Sequence, residues 1–247
     1  MYIDIIKSSK CLLKARLWYY SLAFAHLFYA AIVLLSIDMS QDKDPAVSAY
    51  IYIRWRLLTS WFNLLTLCYF PMCIYCDWME LNGRGDEKPV IRLRQIKEVL
   101  FTSIIFPTTM YCDILFWRVW QKDPSLIAPV RIFDYLPYWT HHSLHSFSGV
   151  TVFIDLLIVP RKRPVSLLPG MLVTTAFVTV YASMVAITYA NGVAVYSVLN
   201  VFDSFKITLL MIMSYLEHYF YYTLQWCIVD LVWKNRVDTE KNKIHTN

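Results

Sequence analysis

Charge is scarce in these 247 residues: Asp, Glu, Lys and Arg make up only 17%, where a soluble domain carries about one quarter. A chain that is 57% hydrophobic cannot cover a soluble surface with so few polar groups. Glycine is scarcer, at 5 residues, and there is no Gly-rich phosphate loop, internal repeat or low-complexity tract. The six cysteines, Cys11, Cys68, Cys73, Cys76, Cys112 and Cys227, mostly lie inside apolar runs. That placement suits small buried hydrophobes and excludes an extracellular disulfide framework. Cys73 and Cys76 have CxxC spacing, but no second Cys pair completes a zinc site. No Asn-x-Ser/Thr glycosylation acceptor occurs.

Long apolar runs and aromatics fill the sequence instead. A spanning helix needs roughly 20 apolar residues, and six runs qualify: 17–37, 57–76, 99–117, 138–159, 165–190 and 207–229. Their length selects helix over strand, and open sheets are excluded in lipid. The first run is too long for a signal-peptide core and reads as a retained helix. Breakers separate the runs, among them Asn82-Gly83, Asp123-Pro124, Pro160 to Pro164 and Asn191-Gly192. The aromatics, 17% of the chain, suit two membrane interfaces. The expected fold is therefore an all-α integral membrane bundle of six transmembrane helices, residues 1–247 forming a single transmembrane domain.

The net charge of +5 does not point to nucleic acid, because the basic residues flank apolar runs, where they meet anionic lipid and set topology. Sixteen Lys and Arg fall on one side, including Lys7, Arg16, Arg84, Arg161, Arg236 and Lys243, and seven on the other. The positive-inside rule then puts both termini in the cytosol, and an even number of spans likewise requires them to share one side.

Ionisable groups at membrane depth are costly and so mark candidate sites: Asp113, His141, His142, His145, Asp155, Glu217 and His218. Thr59 lies four residues inside Trp55, His145 six inside Trp139, and Asp113 four before Trp117. All three thus sit roughly 6–9 Å below the same non-cytosolic interface, at about 1.5 Å per residue. A hydroxyl, an imidazole and a carboxylate in one layer are the parts of a nucleophile, a base and an orienting acid. Each has a blander reading. A membrane Thr bonds its own helix carbonyl or packs at a helix contact. A membrane His serves as an interhelical hydrogen bond. Asp113 pairs structurally with Arg118 or Tyr111, and Asp155 faces headgroups or pairs with Arg161. His142 shares a helix face with His145, and Glu217 is nearest mid-membrane. A three-His zinc site is disfavoured, because His141 and His142 point about 100° apart on a helix. No metal or organic cofactor is expected.

The segment Trp55-Arg56-Leu57-Leu58-Thr59, read with Trp139, His142 and His145, resembles the androgen-induced protein family. Asp77, Phe106-Pro107, Phe116-Trp117, the Gly192, Val195, Tyr196 and Leu199 set, and Leu216-Glu217 match further family elements in order. The resemblance covers about residues 17–230. It implies a multi-pass membrane hydrolase of fatty acid esters of hydroxy fatty acids, with Thr59 as nucleophile and His145 as general base. The chain departs from the family at Ala194, Ser197 and Tyr215, and at Asp113, where the family carries an apolar residue. His142, Asp113 and Glu217 remain candidate supporting residues. The expected partners are a lipid ester substrate and membrane lipids, in the endoplasmic reticulum or plasma membrane. The alternative is a non-enzymatic multi-pass protein, either a lipid-binding regulator or a small transporter. A zinc-dependent lipid hydrolase comes third.

Overall fold

The computed structural model describes residues 9–245, with side chains described from 9 to 233. Lys7 and the side chains of Lys234, Arg236, Lys241 and Lys243, which enter the topology count, lie outside the described residues. The described residues are helical and contain no strand. Six long helices carry the fold: α1 (Lys10–Ser36), α2 (Leu58–Leu81), α3 (Lys88–Trp120), α4 (residues 138–158), α5 (Leu168–Ala190) and α6 (Ser204–His245).

Local chemistry sets the helix ends. The Ser9 side chain accepts from the Leu12 amide at 3.2 Å and caps α1. At Gly83 (φ +74°) and Gly192 (φ +82°) the backbone enters the left-handed region that favours glycine. There Arg84 N–H reaches back to the Met79 carbonyl and Val193 N–H to that of Thr188, closing α2 and α5. Both Asn-Gly breakers thus end helices where the sequence places them.

Three helices, α1, α3 and α5, are long and apolar enough to cross a membrane. The short helical stretch Pro45–Arg56 joined to α2, with a 42° bend, makes a fourth. The other two expected spans fall short by composition. α4 carries His141, His142 and His145 with several serines, and α6 carries Glu217, His218, Gln225 and a run of tyrosines. The outer faces remain apolar: Trp18, Leu22, Phe28, Leu172, Val180, Phe205 and Phe220 are all exposed. So much uncovered apolar surface is a membrane-facing signature.

Inside, α1 packs lengthwise on α2 through Tyr20, Ala23, Leu27, Tyr69, Phe70 and Cys73. Both α3 and α4 contain one turn of π-helix, at Phe101–Ile105 and Ser143–Phe147. A π turn shifts the backbone pairing and leaves carbonyls for other donors. In α3, the Thr102 carbonyl accepts from Gln225 Nε2 and the Ser103 carbonyl from Thr174 Oγ1, each at 2.6 Å, which ties α3 to α6 and α5. In α4, the His145 carbonyl accepts from Trp117 Nε1 at 2.7 Å.

Two connectors meet at Asp42. It accepts from the Tyr135 hydroxyl at 2.5 Å and from Arg131 Nε at 2.9 Å. The Tyr135 hydroxyl, with the Asp44 amide and Arg131, holds this carboxyl below its usual range.

At the end of the bundle where α2 finishes, charge is buried and paired. Arg16 makes a two-point ion pair with Asp77, its Nε to Oδ2 at 2.8 Å. Arg161 Nη2 meets Asp155 Oδ1 at 2.6 Å and its Nε meets Glu98 at 2.9 Å. The hydroxyls of Tyr20 and Tyr69 donate to Asp155 Oδ2 at 2.6 and 3.0 Å. The Arg161 guanidinium also lies 4.1 Å from the centre of the Phe101 ring.

Candidate active site

The opposite end of the same helices holds Thr59, His145 and Asp113. Leu57 is extended (φ −70°, ψ 140°), so α2 begins at Leu58 and Thr59 falls in its first turn. The Leu58 amide donates to the Tyr196 hydroxyl at 2.9 Å, which replaces the missing side-chain cap. Tyr196 is held in turn by Tyr181 at 2.7 Å. The amides of Ser60 and Trp61 turn back to the Leu57 carbonyl. Asn63 Nδ2 donates to the Thr59 carbonyl at 2.9 Å.

Thr59 Oγ1 faces two groups: His145 Nε2 at 3.5 Å and Cys112 Sγ at 3.6 Å. His145 is buried at 6% exposure, with its ring stacked flat on Phe116, centroids 3.7 Å apart and planes within 4°. Its far nitrogen, Nδ1, lies 3.4 Å from Asp113 Oδ1. Asp113 Oδ2 accepts from the Ser148 hydroxyl at 2.7 Å. The structure thus brings the hydroxyl, the imidazole and the carboxylate into one chain of contacts.

A cleft of about 450 Å³ runs beside this chain of contacts, between α3 and α4. Met110, Ile114, Val150 and Trp117 supply apolar walls, Arg118 and Gln121 lie at one end, and Asp113 and His145 lie along it.

The other sequence candidates go elsewhere. His142 Nδ1 pairs with Ser146 Oγ at 3.2 Å, its ring against Trp117 and Tyr138. Glu217 accepts from Arg118 at 3.2 Å. Arg118 therefore does not pair with Asp113. His141 packs among Trp120, Phe133 and Phe116. His218 Nδ1 bonds the Ser214 carbonyl one turn back, at 2.7 Å. Asp155 pairs with Arg161, as its position near Pro160 allows. Among the described residues, no three of His, Cys, Asp and Glu converge as a metal site requires.

Sequence reasoning missed Cys112, Ser148 and Phe116 as members of the site. Ser148 at i+3 from His145 was a usable signal. Cys112 had none, because its approach to Thr59 depends on how α3 is rotated against α2.

A profile of the FAR-17a/AIG1-like protein family matches residues 17–228. The chain belongs to that family. The androgen-dependent TFPI-regulating protein of Mesocricetus auratus is 29% identical over 112 residues, covering 45% of this chain and 47% of the relative. Its human counterpart is 22% identical over 167 residues, covering 66% of this chain and 72% of the relative. Human androgen-induced gene 1 protein is 21% identical over 115 residues, 44% of this chain and 48% of the relative. The chain spans about half the length of most curated relatives it matches. No solved structure matches it. The family match takes in Thr59, Cys112, Asp113, His145 and Ser148, but leaves Arg16, the partner of Asp77, just outside.

Proposed function

We propose that this chain is a membrane carboxylic ester hydrolase that cleaves fatty acid esters of hydroxy fatty acids, with Thr59 as nucleophile and His145 as general base. The observation that carries the reading is the 3.5 Å approach of Thr59 Oγ1 to His145 Nε2 inside the bundle. A hydroxyl is a weak nucleophile unless a base takes its proton, and catalytic hydrogen bonds are often long before substrate binds. The family resemblance points to the same pair.

Thr59 Oγ1 attacks the ester carbonyl while its proton passes to His145 Nε2. The tetrahedral intermediate collapses to acyl-Thr59, and His145 returns the proton to the departing alkoxide. Water then attacks the acyl ester, losing a proton to His145, which hands it back to Thr59 Oγ1 as the carboxylic acid leaves. The net change is ester plus water to acid plus alcohol, and no metal or cofactor takes part. First-turn amides of a helix have no intrahelical acceptor. With the Leu58 amide on Tyr196 and those of Ser60 and Trp61 on Leu57, the Thr59 amide is the donor proposed for the carbonyl oxygen. A partial positive charge at the helix N-terminus favours an oxyanion there. Acyl chains lie in the apolar cleft along Met110, Ile114 and Val150.

The proposed setting is a six-span bundle in the endoplasmic reticulum or plasma membrane, both termini cytosolic and the site at the non-cytosolic boundary, where water enters. The basic-residue distribution supports that orientation. The name of the TFPI-regulating relatives favours a second reading, a non-enzymatic lipid-binding regulator. The deciding test is hydrolysis of a branched fatty acid ester of a hydroxy fatty acid by purified protein in detergent. Wild type turns it over, and Thr59→Ala and His145→Ala, each verified as folded, do not. Well-folded wild type inert on a panel of lipid esters supports the regulator; turnover by Thr59→Ala puts the nucleophile elsewhere.

A further inference from the structure

The face of His145 turned away from Thr59 is unlike an ordinary buried histidine. Its Nδ1 and Asp113 Oδ1 are both buried, 3.4 Å apart, and neither has a hydrogen-bond partner among the described residues. A buried polar atom left unpaired is costly, and here two such atoms of opposite character face each other. The surroundings fix both groups. Ser148 Oγ–H donates to Asp113 Oδ2 at 2.7 Å, and the Gly149 amide lies against the same carboxylate. A Cβ at Gly149 would stand only 3.0 Å from Asp113 Oδ2, so the carboxylate occupies space that a side chain would fill. Phe116 holds the plane of the imidazole, and Trp117 holds the His145 carbonyl released by the π turn.

We infer that Asp113 is a positioning residue of this site: its carboxylate takes the Nδ1 proton of His145 as a hydrogen bond and so turns a free Nε2 lone pair toward Thr59. The inference rests on the hydrolase reading and adds a third member that the family resemblance does not supply.

The reasoning is tautomeric. A neutral imidazole carries one proton. Placed on Nε2, it leaves no base facing the Thr59 hydroxyl. A carboxylate can only accept, so it stabilises the tautomer with the proton on Nδ1. When Nε2 takes the Thr59 proton, the ring becomes an imidazolium and the Asp113 charge steadies it; no proton moves to Asp113. Asparagine keeps the shape but can donate to Nδ1, which selects the wrong tautomer.

Other titratable groups surround the pair. His141 and His142 share α4, Cys112 and Arg118 share α3, and Glu217 and His218 come from α6. On α1, His26 is bonded to Ser143. All persist in the variants below, so differences between the variants report Asp113.

The test uses the full-length protein in detergent. In Asp113→Asn, kcat falls on the order of a hundredfold or more, as loss of the acid does in hydroxyl–histidine–carboxylate sites, while KM changes little. Asp113→Glu recovers part of the rate. In parallel, the ¹⁵N spectrum of histidine-labelled protein is recorded in the Thr59→Ala background, with His145 assigned by its loss in His145→Gln. The His145 signal reports the Nδ1–H tautomer, and Asp113→Asn shifts it toward Nε2–H. A His145 proton on Nε2 with Asp113 intact overturns the inference without reference to turnover or to the folding of any Asp113 variant. Wild-type turnover with unchanged kcat in Asp113→Asn overturns it while leaving Thr59 and His145 in place. Absent turnover with the Nδ1–H tautomer present removes the hydrolase reading alone.

Discussion

Two buried polar clusters share the same helices and are built to opposite rules. At one end, Arg16, Asp77, Arg161, Asp155, Glu98, Tyr20 and Tyr69 form short, multiply shared contacts, most within 3.0 Å. At the other end, Thr59, His145, Cys112 and Asp113 meet at 3.4–3.6 Å, and two of their atoms have no partner. A closed network is rigid and consumes its hydrogen-bonding capacity. An open one keeps capacity for something not yet bound. The difference teaches that membrane depth and charge alone do not mark a working site. Asp155 is as buried as His145 and is fully spent on structure; the open end differs in holding two unpartnered atoms of opposite character face to face.

The sharpest way to break this contrast is to remove the hydroxyl at the open end. Thr59→Val keeps the branched shape, so turnover falls at least about ten-thousandfold, the scale of losing a nucleophile, while the thermal midpoint in detergent barely moves. Ester hydrolysis and a melting curve on one preparation decide it. A large fall in stability with retained turnover would reverse the roles assigned to the two ends.

The closed end answers in the other currency. Arg161→Met leaves the buried Asp155 and the half-buried Glu98 without their cation, and breaking a buried pair by removing one partner costs about 3–5 kcal/mol. The expected result is a marked drop in the thermal midpoint, with unchanged specific activity in the molecules that remain folded. Loss of activity in fully folded Arg161→Met would show that the two clusters are coupled along α4.

How much of this was legible in the sequence follows from the same geometry. Helix rise is fixed, so counting residues from Trp55, Trp117 and Trp139 put Thr59, Asp113 and His145 in one layer, and the structure holds them together. The Asn-Gly breakers were legible because a left-handed residue at a helix end needs glycine. The start of α3 was not. Hydropathy located residues 99–117, whereas the helix begins at Lys88, because residues 88–98 are amphipathic and register as a loop. The π turns were also invisible, since they arise from packing rather than from local preference. With them went Gly149 and Cys112, whose places depend on helix rotation, whereas Ser148 was legible as the i+3 neighbour of His145.

A subtler probe is Gly149→Ala. Replacing glycine inside a helix stabilises by about 0.5–1 kcal/mol, but the new Cβ would press on Asp113 Oδ2 from 3.0 Å. The carboxylate has to yield by a few tenths of an ångström. Unfolding is therefore expected to become slightly harder while kcat drops, by roughly threefold to a hundredfold given how steeply rate follows misplacement. Opposite signs in the two measurements would locate Gly149 at the open end; stability and rate moving together would make it ordinary packing.

The smallest effect belongs to Glu217, which was a candidate by depth and is drawn off by Arg118. That pair joins a half-buried acid to a guanidinium whose side chain is 63% exposed, at 3.2 Å, and exposed pairs contribute only about 0–1 kcal/mol. Glu217→Gln keeps the size and one acceptor oxygen while removing the charge. Its thermal midpoint is expected to shift by no more than that range allows, and kcat to stay within about threefold of wild type, less than the 1.4 kcal/mol that a tenfold change represents. A larger loss of kcat would mean that the open cluster extends through Arg118 into α6, and the boundary between the two kinds of polar cluster would have to be redrawn there.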